Sequence, residues 1–117
     1  MSQASHNNQI DYIEFPAVDI PKIKDFYSSV FGWKFEDYGP DYTSFVDGRL
    51  AGGFNVELPA PARGLLLVIY SSDLAAVQQK IKSAGGSIVK DTFSFPGGRR
   101  FHFADPNGNE LAVWSDL

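Results

Sequence analysis

The chain carries one structural plan twice, and that repetition limits its fold more than any other feature. "IDYIEF" is a short strand-like run. Asp19 then caps a helix whose Ile20, Ile23, Phe26, Tyr27, Val30 and Phe31 form one apolar stripe, with Pro21 in the first turn and Gly32 at its end. "WKFEDY" follows as a strand, and "YTSFV" and "LAGGFNV" flank an Asp47-Gly48 hairpin signal. From Leu65 the order recurs: a strand "LLLVIY", a cap at Asp73, and a stripe of Leu74, Val77, Ile81 and Ala84. A Gly85-Gly86 stop, a strand "SIVK", and the strands "RRFHFA" and "NELAVW" around an Asp105–Gly108 turn complete it. Cap and terminating glycine lie thirteen residues apart in the first half and twelve in the second. Both halves read βαβββ, which argues for an internal duplication. The expected organisation is a polar, mobile tail over 1–8 and one domain over 9–117. Within it, module one spans 9–57, a Pro-stiffened linker "LPAPARG" spans 58–64 and module two spans 65–117.

Composition removes several classes of function. A net charge of −4 without a basic stripe argues against nucleic acid. Zero cysteines exclude disulfides, thiolate metal sites and cysteine nucleophiles, and fit a reducing, cytoplasmic setting. No apolar run is long enough to span a membrane, and 1–8 lacks a signal-peptide core. Aromatic residues, at 15%, favour strands and an aromatic-lined site.

Three segments, "VDIPKIKDFYSSVFGW", "SSDLAAVQQKIKSAGG" and "GGRRFHFADPNGNELAVW", resemble the vicinal oxygen chelate superfamily, the group of glyoxalase I, bleomycin-resistance proteins and extradiol dioxygenases. With the strands between them the resemblance runs from about Gln9 to Trp114. It implies an α+β fold in which two βαβββ modules form a cupped mixed sheet around a cavity, with helices on the outer side and a homodimer as the assembly. In metal-dependent members that cavity holds a divalent ion on His, Glu or Gln. Carried over position by position, three ligand places hold Tyr12, Leu66 and Ala112, and nothing from Ala51 to Asn55 is a His or a carboxylate. No metal and no other cofactor is therefore expected.

His102 and Glu110 flank the DPNG turn and invite a metal reading of their own. If Asp105 pairs with Gly108, His102 faces Leu111 and Glu110 faces Phe103, so the two point to opposite sides of the hairpin. On that register His102 lies beneath a helix. The cavity face then carries Tyr12, Glu14, Leu66, Val68, Tyr70, Phe101, Phe103, Glu110, Ala112 and Trp114. Glu14 and Glu110 are either rim carboxylates paired with Arg99, Arg100 or Lys34, or general bases. Phe93 and Phe95 sit in a connection, "DTFSFPGGRR", and either cover the core edge or close over a ligand as a flap hinged at Pro96–Gly98. The function expected is metal-free binding of a hydrophobic or aromatic small molecule in the sheet cavity, as the resemblance to bleomycin-resistance proteins permits. The alternatives are a glyoxalase-like lyase or isomerase, metal-free with Glu14 or Glu110 as base or metal-dependent on a different ligand register, and a dimeric scaffold with a vestigial cavity.

Overall fold

Asp19 and Asp73 each fold back on the helix they precede: the first accepts from Lys22 N and the second from Ala76 N, both at 3.1 Å. These bonds satisfy amides that have no partner inside the helix. The computed structural model describes residues 5, 7–58 and 65–117. Module one runs β1 (Tyr12–Pro16), α1 (Ile20–Phe31), β2 (Lys34–Asp37), β3 (Tyr42–Val46) and β4 (Ala51–Asn55). Module two runs β5 (Leu67–Tyr70), α2 (Leu74–Ser83), β6 (Ser87–Phe95), β7 (Gly98–Ala104) and β8 (Glu110–Ser115). The duplication read from the caps is present element for element. Most of the tail and most of the linker lie outside the described residues.

Each module forms a four-stranded mixed sheet, ordered β1-β4-β3-β2 and β5-β8-β7-β6, whose first and last strands pair in parallel. The fold is α+β. One core joins both modules: Phe26 and Phe31 of α1 lie with ring centroids 6.0 and 5.9 Å from Phe103 of β7. Trp33, just past α1, stacks between Tyr27 and Phe45 at 4.4 Å each. Burial of a Phe or Leu side chain contributes roughly 1.5–3 kcal/mol, so this aromatic set is a main source of stability.

The final hairpin departs from its expected register. Asp105 pairs with Asn109, not Gly108: Asp105 N donates to Asn109 O and Gly108 N donates to Asp105 O, both at 2.9 Å. The loop is three residues long, Pro106–Gly108, and Gly108 takes φ +87°. A third loop residue in the left-handed region shifts the pairing by one. The pairs become Phe103 with Leu111, His102 with Ala112 and Arg100 with Trp114. A shift of one residue turns every β7 side chain to the other face relative to β8. Phe101 and Phe103 are therefore completely buried in the core, not on the open face, and His102 is not beneath a helix.

The segment 91–100 is also corrected. It is not a plain connection: β6 continues to Phe95, a two-residue turn at Pro96-Gly97 follows, and Gly97 has φ +105°. Phe93 and Phe95 are strand residues opposite Arg100 and Gly98.

Candidate functional site

With the corrected register, the face of the second sheet turned away from the helices carries Val68, Tyr70, Arg100, His102, Glu110, Ala112 and Trp114. Lys90 stands opposite His102 on β6. Period-two alternation in "RRFHF" explains the division: Phe101 and Phe103 go inward, so Arg100 and His102 go outward. His102 and Glu110 do not point apart. His102 Nδ1 lies 2.9 Å from Glu110 Oε2.

Aromatic rings surround the polar groups. Tyr70 meets Trp114 edge-on at 5.3 Å, and Phe95 lies 6.5 Å from Trp114. The Phe93 ring is 6.0 Å from the His102 ring, with Lys90 Nζ at 4.4 Å and the Arg100 guanidinium at 5.3 Å from its centroid. Such cation–π contacts strengthen when shielded from water. Asp116 accepts from the Tyr70 phenol at 2.6 Å, and this bond is the main reason that phenol's pKa is raised. Of the expected ligand-binding residues, Val68, Tyr70, Phe93, Phe95, Ala112 and Trp114 gather on this sheet. Leu66 lies just before β5, and Phe101 and Phe103 are withdrawn.

The first sheet offers a different surface. Tyr12 and Glu14 share the face away from the helices, while Phe15 turns inward and stacks on Phe54 at 4.9 Å. The Tyr12 and Tyr42 hydroxyls meet at 2.5 Å, and Asn55 Nδ2 donates to Glu14 Oε1 at 3.4 Å. Burial, then the bonds to Tyr12 and Glu14, raise the Tyr42 pKa, so this phenol stays neutral. Gly53 makes the pair possible: a Cβ there would lie 2.0 Å from Tyr42 Oη and 2.8 Å from Tyr12 Oη. Tyr42 and Gly53 escaped the sequence reading because no local motif links them to Tyr12. The place of Arg100 and His102 on the open face escaped it through the one-residue hairpin shift.

Glu14 and Glu110 both border a cleft at the module seam with Ile13, Phe15, Leu65, Leu67 and Asn109. Neither takes the expected partner among Arg99, Arg100 and Lys34: Glu110 pairs with His102 and Glu14 with Asn55.

The divalent ion that the resemblance implies does not fit these residues. Leu66 and Ala112 bring no donor atom, and His102 and Glu110 bind each other. Among the described residues no three His, Cys, Asp or Glu side chains form a group able to hold a metal. A metal site needs a complete, converging donor set.

The family model described as Glyoxalase/Bleomycin resistance protein/Dioxygenase superfamily matches residues 9–113. A curated relative, the anthracycline biosynthesis protein DauV of Streptomyces sp. (strain C5), is 28% identical over 127 residues. That match covers 88% of this chain and 45% of the relative, so the chain spans less than half of that protein's length. Among solved structures, a glyoxalase/bleomycin resistance protein/dioxygenase family enzyme from Burkholderia phytofirmans PsJN aligns with TM-score 0.79 at 18% identity, covering 92% of this chain and all of that one. TioX from Micromonospora sp. ML1 aligns at 0.71 and 17%, covering 94% and 100%. A lactoylglutathione lyase from Agrobacterium tumefaciens aligns at 0.69 and 18%, covering 92% and 93%. At these identities the likeness is one of fold. No helix among the described residues is long and apolar enough to cross a membrane.

Proposed function

Because the chain belongs to the glyoxalase/bleomycin resistance protein/dioxygenase superfamily, we propose that it is a metal-free binding protein for a flat aromatic small molecule, held on the open face of module two. One observation carries this reading: Tyr70, Phe93, Phe95 and Trp114 present their rings on one face together with the cations Lys90 and Arg100. Large aromatic surfaces with a few placed polar groups suit planar ligands. The relative named for anthracycline biosynthesis supports the same ligand class, since anthracyclines are planar polycyclic aromatics.

The reading includes a homodimer in the cytoplasm. Tyr12 and Val46 are 43% and 50% exposed on the face of the first sheet away from the helices. A second copy would cover that surface. Nucleic acid and membranes are not among the proposed partners.

A second reading, a lyase or isomerase, draws on the His102–Glu110 pair, because an imidazole held at Nδ1 by a carboxylate can take a proton at Nε2. The test for the main reading is a screen of melting temperature against planar aromatic compounds and aliphatic metabolites. Aromatic compounds alone should raise it. Turnover of a compound that binds would favour the enzyme.

A further inference from the structure

Two polar atoms on the module-two face are shut off from solvent yet have no hydrogen-bond partner among the described residues: Arg100 Nε and His102 Nε2. Such atoms are rare in folded proteins, because an unpaired buried polar group costs about 1–3 kcal/mol. His102 as a whole is only 9% exposed. Its other nitrogen is committed to Glu110 at 2.9 Å. A carboxylate only accepts, so Nδ1 carries the hydrogen, and in the tautomer this selects Nε2 is the acceptor. Arg100 Nε can only donate. The face therefore holds one unused donor and one unused acceptor on two residues that both border the Phe93 ring, His102 at 6.0 Å and the Arg100 guanidinium at 5.3 Å from its centroid. Phe93 stands where the pairing of β6 with β7 slips, between Lys90 and Phe93, so its ring is held by an irregular stretch of edge strand.

The geometry points to an aromatic ligand that carries a hydroxyl and an oxyanion or carbonyl oxygen, whose ring takes the place of Phe93 over Arg100 and His102. This inference rests on the aromatic-ligand reading above and names its chemical class. The ligand hydroxyl donates to His102 Nε2, and the oxyanion accepts from Arg100. Side chains two positions apart on a strand emerge about 7 Å apart. That separation matches groups at opposite ends of one ring better than neighbouring groups. Glu110 acts as a positioning residue, because it sets which nitrogen of His102 is the acceptor.

The test is calorimetric binding of 4-hydroxy-1-naphthoate, 1-naphthoate and 1-naphthol. The hydroxy acid should bind about tenfold more tightly than either compound lacking one group, as expected for one hydrogen bond gained in a shielded site. His102→Phe should abolish the preference for the hydroxyl, and Arg100→Gln the preference for the carboxylate. Glu110→Gln replaces an exposed side chain that does not hold the core, and should reduce the hydroxyl preference even if His102→Phe fails to fold. Equal binding of all three compounds with a response from Trp114 would overturn this inference and leave the aromatic reading standing. No binding by any of the three at millimolar concentration would overturn both.

Discussion

Tyr27, in the middle of α1, donates its phenol to Asp105 Oδ2 at 2.9 Å and so bonds the first module to the final turn of the second. Both residues are buried. The same turn sends Asn109 Nδ2 to Pro16 O at 3.1 Å and takes Asp19 N on Asn107 Oδ1 at 3.0 Å. Asp105 also accepts from the backbone amides of Asn107 and Asn109 and from Asn109 Nδ2. The DPNG segment is thus both a hairpin turn and the clasp between modules.

Tyr27→Phe removes one donor from a buried carboxylate and leaves the rings packed. It should destabilise the protein by about 1.5–3 kcal/mol, read from the urea midpoint. Loss of less than half a kcal/mol would deny the clasp an energetic role.

The same carboxylate gives a signed pH effect. Burial is the largest influence on Asp105 and raises its pKa, against the opposing hydrogen bonds. A carboxyl group raised on folding is most favourable while protonated in both states. Its contribution is present below the unfolded-state pKa of about 3.9 and is lost as pH rises through the folded value. Wild-type stability relative to Asp105→Asn should therefore increase as pH falls from about 7 towards the carboxylate range. A difference that shrinks with acidity would mean the pKa is lowered instead.

Gly98 begins β7 where a Cβ would lie 2.2 Å from the backbone oxygen of Ser115. Backbone cannot swing aside as a side chain can, so Gly98→Ala should cost about 1–3 kcal/mol. It should also shift the emission of the neighbouring Trp114. A neutral thermal scan would show that the β7–β8 pairing is looser than described.

The order of the elements was legible because caps, apolar stripes and terminating glycines are local signals, and Asp19, Gly32, Asp73 and Gly85 each announced a boundary. The faces of the final hairpin were not legible, because "DPNG" permits a two-residue or a three-residue loop. The choice rests on whether Gly108 closes the turn or follows it. That single step exchanged Phe101 and Phe103 for Arg100 and His102 on the open face. The long β6 was missed because Phe93 and Phe95 follow two breaks in its pairing with β7. The outward turn of Tyr12 and Glu14 came through correctly, since β1 has no irregularity.

Metal content gives an independent check on the site. Purified protein should hold well under one equivalent of zinc, nickel, manganese or iron, and EDTA should leave its melting temperature unchanged. Stoichiometric metal that disappears in Glu110→Ala would make His102 and Glu110 ligands, not partners of each other.

Assembly is read by sedimentation. A particle of about twice the 12.9 kDa chain mass is expected at micromolar concentration. A mass matching one chain would leave the exposed face of the first sheet uncovered and argue against the dimer.

The central claim is that the ligand face is the open face of module two, and Trp114 reports on it directly. Trp114 lies there between Tyr70 and Phe95, whereas Trp33 is buried in the core between Tyr27 and Phe45. The decisive measurement is a fluorescence titration with anthraquinone-2-carboxylate, a planar quencher. The account predicts saturable quenching that Trp114→Phe abolishes and Trp33→Phe preserves. Saturable quenching that survives Trp114→Phe, or no quenching at all, would contradict it.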